Sequence, residues 1–130
     1  MSLPKLLLAL LIASGSCVCL CGAQGDSEPS AADLAQQKLK LIKKEYERLK
    51  KVEHQGITIG ASSYIPWSKR WLETDLDLAK NRAERIAAYK AHVQRLQQLL
   101  PKEKLPNIPP DTILEYELLH ARYLLSKAKD

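Results

Sequence analysis

Every cysteine of the chain lies in one heptapeptide, SCVCLCG, residues 16 to 22: Cys17, Cys19 and Cys21. Thiolates at this C-x-C-x-C spacing could hold a soft metal or work as a redox cluster, provided further ligands stand close by. The three histidines, His54, His92 and His120, lie far off in sequence and form no H-x-x-x-H pair. The residues upstream supply another reading. Lys5 is the only charge before Asp26, and it is followed by the unbroken apolar run LLLALLIA, Leu6 to Ala13. A short positive start, an apolar middle and a small-residue end make a secretory signal peptide. The run is too short to span a bilayer, which needs about 20 residues. The best cleavage site falls between Ala23 and Gln24, with Ala23 and Cys21 as the small residues at −1 and −3. The mature chain is then expected to hold no cysteine. Lipid anchoring through a cysteine is the rival, and it fits less well, because none of the three has the preferred Leu and small residue before it.

The other candidates for chemistry are sparse. Glu73, Asp75 and Asp77 form E-x-D-x-D, but residues two apart on a helix point different ways, and a calcium loop also needs a glycine turn. Ser62 and Ser63 read as helix caps. His92, between Ala91 and Val93, and His120, before Ala121, read as residues at a polar boundary. No nucleophile with a base, no paired acids and no ligand set emerges, so the reading is of a non-enzyme without cofactor or metal. What remains is Trp67 and Trp71, four residues apart on one helix face. They are either core residues closing a hairpin or a partner-binding pair. As core, they are expected to pack on Leu49 and Val52, with Trp71 the more buried of the two.

These residues need helices to hold them. Beyond Ser30 the chain is mostly Ala, Leu, Lys, Glu, Gln and Arg, strong helix formers, and it has no phenylalanine. The pattern predicts three helices in one domain over 31–130, after a polar lead at 24–30. The first spans about 31–54, opened by the S-x-x-D signal of Ser30 and Asp33. Its seam, Ala35, Leu39, Ile42, Tyr46 and Leu49, steps like a coiled coil. Gly56 can supply the left-handed residue that closes it. The second is expected over about 64–100, with Pro66 in its first turn. Its seam passes through Leu72, Leu76, Ala79, Ala83, Ile86, Tyr89, Val93, Leu96 and Leu100. Two steps of three at Ala83, Ile86 and Tyr89 read as a stammer, a local overwinding. The proline-rich PKEKLPNIPPD then stops any helix. Thr112 and Glu115 form a capping box for the third, about 111–127, whose seam is Leu114, Leu118, Ala121, Leu125 and Ala128. The fold expected is all-α: an antiparallel coiled-coil-like hairpin with a third, C-terminal helix.

Residues 62–79 overlay 111–128 at an offset of 49, aligning Ile65 with Leu114, Trp67 with Tyr116, Leu76 with Leu125 and Ala79 with Ala128. A loop–cap–helix unit thus occurs twice. The segment from Leu41 to Ala128, with Gly56 and LETDLDLA, resembles a secreted helical repeat of uncharacterised bacterial envelope proteins. It is similar, more distantly, to the α-helical hairpins of TolC-like outer-membrane efflux proteins. The second unit departs from the pattern, having Leu105-Pro106 where the glycine should stand. The chain is also too short, and too poor in strands, to build an outer-membrane barrel. The resemblance implies helical hairpins and an envelope location; it implies neither transport nor catalytic residues.

With 20 Lys and Arg against 15 Asp and Glu, the net charge is +5. In an exported protein that surplus points away from nucleic acid and toward anionic lipid, cell-wall polymer or acidic protein. The expectation is therefore a periplasmic or extracellular interaction or spacer module. Its partner would be another envelope protein or a second copy of itself. The alternative is a protein binding the membrane surface or cell wall through its Lys-rich first helix.

Overall fold

The computed structural model describes residues 28–101 and 111–130. The cysteines, the Ala23–Gln24 junction and the proline-rich stretch at 102–110 lie outside them. Among the described residues the chain is all-helical, with α1 over Ala31–His54, α2 over Ala61–Leu78, α3 over Arg82–Gln97 and α4 over Thr112–Lys129.

Each helix end has a local cause. Ser30 caps α1 in a complete capping box: its Oγ accepts from the Asp33 N–H, and the Asp33 carboxylate accepts from the Ser30 N–H. Gly56, at φ +88°, turns the chain out of α1 in a conformation that costs other residues a steric penalty. The expected start of the second helix needs correcting. It begins at Ala61 behind Gly60, which has no side chain to cap with, so Ser62 and Ser63 are inside the first turn. Pro66 consequently sits within the helix rather than in its first turn. It withholds the N–H due to the Ser62 carbonyl, and both residues are exposed, where solvent can serve that carbonyl.

The long second helix is also corrected: it is two helices. Ala79 is extended, at φ −68° and ψ 122°, and Asn81 caps α3. The Asn81 Oδ1 accepts from the Glu84 N–H at 2.9 Å, while the Glu84 carboxylate takes the Lys80 N–H at 2.7 Å. The irregularity read as a stammer, at Ala83, Ile86 and Tyr89, falls inside α3 and not at the break, and Ala83 is exposed there, off the packed face of Ala88, His92 and Leu96. α3 stops at Gln97, short of the expected Leu100. For α4 the cap is Asp111, not Thr112: its carboxylate accepts from the Leu114 N–H at 3.1 Å.

The helices form two antiparallel hairpins, α1–α2 and α3–α4, joined by an antiparallel α2–α3 contact. α2 and α4 run side by side in the same direction, linked by an ion pair from Lys69 to Glu117 at 3.1 Å. One apolar core joins Ile65 of α2, Val93 and Leu96 of α3, and Leu114, Leu118 and Ala121 of α4. Ile65 and Leu114, equivalent in the internal repeat, are both in it. At the level of the helix backbones α1 lies against α2 alone. It buries Ile42 and Tyr46, the middle of its seam.

Candidate functional site

The seam of α2 continues N-terminally from Leu72 to Ser68 and Ile65, in steps of four and three. The face of α3 turned toward it carries Ala88, His92 and Arg95 at the same steps. Antiparallel packing therefore brings three polar side chains together where apolar ones would ordinarily meet. Ser68 has no exposed surface, His92 keeps 3% and Arg95 keeps 9%.

The three are hydrogen-bonded. The Ser68 Oγ lies 2.9 Å from His92 Nδ1, and Arg95 Nε donates to the same Oγ at 3.2 Å. Arginine can only donate, so the hydroxyl accepts from Arg95 and its own proton is free for Nδ1 of a neutral imidazole. Burial, and after it the neighbouring Arg95 charge, lower the His92 pKa from 6.5 to about 4, against a smaller upward pull from Glu117. The ring is accordingly neutral at physiological pH.

Around this centre lies an aromatic and ionic shell. The Arg95 guanidinium stacks over Trp71 at 4.4 Å from the ring centroid, and Lys43 of α1 approaches the same ring at 5.2 Å. Trp71 meets Tyr46 edge to face at 5.8 Å, and Tyr46 meets Tyr64 at 5.3 Å. Tyr64 donates to Glu53 at 2.8 Å, and burial together with that bond raises its pKa. Asp75 faces Arg95 from α2; burial raises its pKa, and the Arg95 charge opposes that rise. The Tyr46 Oη and Arg95 Nη2 are buried without a partner among the described residues.

A serine bonded to a histidine invites a catalytic reading, because a nucleophile needs an adjacent base. The geometry here serves another end. Ser68 offers no surface to a substrate, and Arg95 occupies a lone pair of the oxygen that would attack. The imidazole is held through its hydrogen bond to Ser68, whereas a triad would orient it with an acid on its other nitrogen. Chemically the arrangement is a clamp: it ties α2 to α3 by hydrogen bonds and α3 to α1 through Trp71 and Tyr46.

Of the residues singled out in the sequence, Trp71 belongs to this cluster, and it meets α1 at Tyr46 and Lys43, one turn earlier than Leu49. Trp67 is half-buried like Trp71, with the Arg70 guanidinium 4.8 Å from its ring. His92 is corrected from a boundary residue to a buried one. His120 is exposed, stacked on Tyr116 at 6.1 Å. The sequence pattern does not single out Ser68 or Arg95, although their seam spacing signals polar side chains facing a neighbouring helix.

A second feature lies where the α2–α3 turn meets the end of α4. A groove of about 530 Å³ is lined by Lys80, Arg82, Arg85, Tyr89, Lys127 and Asp130, among others. Arg82 crosses it to donate to the carbonyls of Ala128, at 3.2 Å, and Lys129, satisfying the end of α4. No described helix is long and apolar enough to cross a membrane.

Fold and site together describe a small all-helical protein of two hairpins locked by a buried polar clamp. Comparison with protein-family models, with curated proteins and with solved structures returned no match.

Proposed function

We propose that the protein is an exported, non-enzymatic helical module that binds or spaces another component of the cell envelope. The observation that carries this reading is on α4. Ile113, Tyr116, Leu119 and Tyr123 are 59–65% exposed, a row of large apolar side chains on a helix whose other face is already in the core. Contiguous apolar surface of this kind marks interaction sites. Export rests on Lys5 and the apolar run from Leu6 to Ala13, and the envelope location on the resemblance of Leu41 to Ala128 to envelope helical repeats. The test of export is the intact mass of the protein recovered outside the cytoplasm. A chain starting at Gln24 is expected, whereas a lipid-modified mass starting at Cys17 or Cys19 makes it a lipoprotein. Binding is tested by affinity capture from envelope extract with the wild-type chain and with Tyr116→Ser/Tyr123→Ser. Equal capture by both rejects α4 as the binding surface.

A second reading has its own support on α1. Leu34 and Leu41, two turns apart, are 51% and 63% exposed. Lys38, Lys40, Lys44 and Lys51 are exposed on the same helix and make no ion pair with described residues. Apolar residues among unpaired lysines suit the surface of an anionic membrane or a cell-wall polymer. Cosedimentation with phosphatidylglycerol vesicles at low and high salt separates the two. Salt-sensitive binding that is lost in Lys38→Glu/Lys44→Glu favours this second reading.

A further inference from the structure

α4 is apolar on two opposite sides. Its inner row, Leu114, Leu118, Ala121 and Leu125, packs in the core. Its outer row is Ile113, Tyr116, His120 and Tyr123, stepping three, four, three, with Leu119 beside it, and all five are exposed. At 3.6 residues per turn the two rows lie roughly 180° apart. A helix with one apolar face needs one partner layer; this one is patterned for two. The outer row is already ordered: Tyr116 and His120 stack with planes 4° apart, and Tyr123 follows at 6.4 Å from His120. From Thr112 to Ser126 the outer stripe holds no Asp, Glu, Lys or Arg, and the exposed Lys127, one turn past Tyr123, closes it.

The charges bordering the stripe say what covers it. Asp111, Glu115, Arg122 and Lys129 fall along one edge, the acids in the N-terminal half and the bases in the C-terminal half. We propose that a second copy of the chain docks on this stripe antiparallel to the first, Tyr116 of each copy facing Tyr123 of the other. In that register Glu115 runs beside Arg122 of the second copy, and Asp111 beside Lys129. A parallel two-fold pair would turn this edge toward the opposite edge of the second copy, so neither ion pair would form. The antiparallel pair also opposes the two helix dipoles. The charge-free stripe is, moreover, where two chains of net charge +5 repel least. A large aromatic side chain buries about 150–250 Å², so these five residues, two of them tyrosines, supply at most about 600 Å² per copy. Doubled by the two-fold axis, this reaches at most about 1,200 Å², the lower limit of specific interfaces. The dimer is therefore weak and concentration-dependent.

This deepens the interaction-module reading and rests on it for its biological meaning, while its test is independent of any other partner. Sedimentation equilibrium is run on the full chain under reducing conditions, which prevents disulfides through Cys17, Cys19 and Cys21. The expected result is a monomer–dimer equilibrium. Tyr116→Ser/Tyr123→Ser should leave the circular dichroism unchanged and abolish the dimer, which separates α4 from any association through the apolar N-terminal segment. Glu115→Arg and Arg122→Glu should each weaken the dimer by about fivefold, and the double exchange should restore it. A chain monomeric at every concentration overturns the inference, even if it binds vesicles or captures an envelope protein. So does a dimer that persists in the tyrosine variant, or a charge exchange that fails to restore what its halves lost.

Discussion

Ser68 takes a hydrogen bond from Arg95 and lies in hydrogen-bond contact with His92, so its removal strands two buried partners at once. Unsatisfied buried polar groups cost about 1–3 kcal/mol each. Ser68→Ala should therefore destabilise the protein by about 2–4 kcal/mol, measured by urea unfolding, although alanine suits a helix better than serine. A change under about 0.5 kcal/mol would mean that the clamp holds little. His92 adds a dependence on pH. Its folded pKa, about 4, lies below its unfolded value, 6.5. Between these values the unfolded chain binds the extra proton, so the stability tied to the neutral ring is complete above 6.5 and is lost as pH falls toward 4. The loss amounts to about 3 kcal/mol across that window. His92→Gln should flatten the curve there; an unchanged slope would show that another group titrates. Asp75 works in the opposite sense just above 3.8, because its raised pKa lets the folded chain bind the extra proton.

At the scale of the helix, the least expected feature is the break between α2 and α3. It rests on Asn81, whose side chain serves the first turn of α3, and on Glu84, which reaches back to Lys80. Losing such a cap costs about 1 kcal/mol. Asn81→Ala should lower stability by about that amount in thermal or urea unfolding, with little change in helix content. A rise in helicity would mean that α2 and α3 fuse once the cap is gone. This break was legible in part. Asn81 and Glu84 stand at the N-x-x-E spacing of a helix start, but the run of alanines, leucines and arginines around them continues a helical pattern on both sides. Local propensity favours helix through residues 79–81. Only the gain from folding α3 back on α2, with Val93 and Leu96 meeting Ile65 in one core, outweighs it.

Among the described helices α1 is the outlying element, because it packs along α2 alone, with Tyr46 held between Tyr64 and Trp71. Trp71 is half-buried, so truncating it should cost about 2–3 kcal/mol, less than the roughly 3–5 of a fully buried tryptophan and still a large share of the roughly 5–15 kcal/mol typical of a domain. Trp71 also carries the Arg95 stack, so Trp71→Ala should undock α1 and leave Arg95 without its aromatic lid. Hydrogen exchange should then rise across residues 31–54 before it rises in α3 and α4. Trp67→Ala removes a ring whose cation partner is on its own helix, and should cost less. The reverse order of damage in the two melting curves would reject this assignment.

Composition and periodicity determined much by themselves: the all-helical class, the extent of α1, the capping box of Ser30 and Asp33, the turn at Gly56, and the inner seams of α1 and α4. Each of these depends on residues within a turn or two of one another, so the chain encodes it locally. The partner of each seam is a different matter. Whether Ser68 ends beside His92 or in water depends on residues more than twenty positions apart meeting across a helix pair, and serine is at home in either place. Nothing local makes His92 buried; the antiparallel return of α3 does. The outer row of α4 shows the same division. Ile113, Tyr116 and Tyr123 are as apolar as Leu114 and Leu118, and the sequence holds two candidate seams on one helix. Tertiary packing chose between them, because only the Leu114 row points at the space that α2 and α3 enclose.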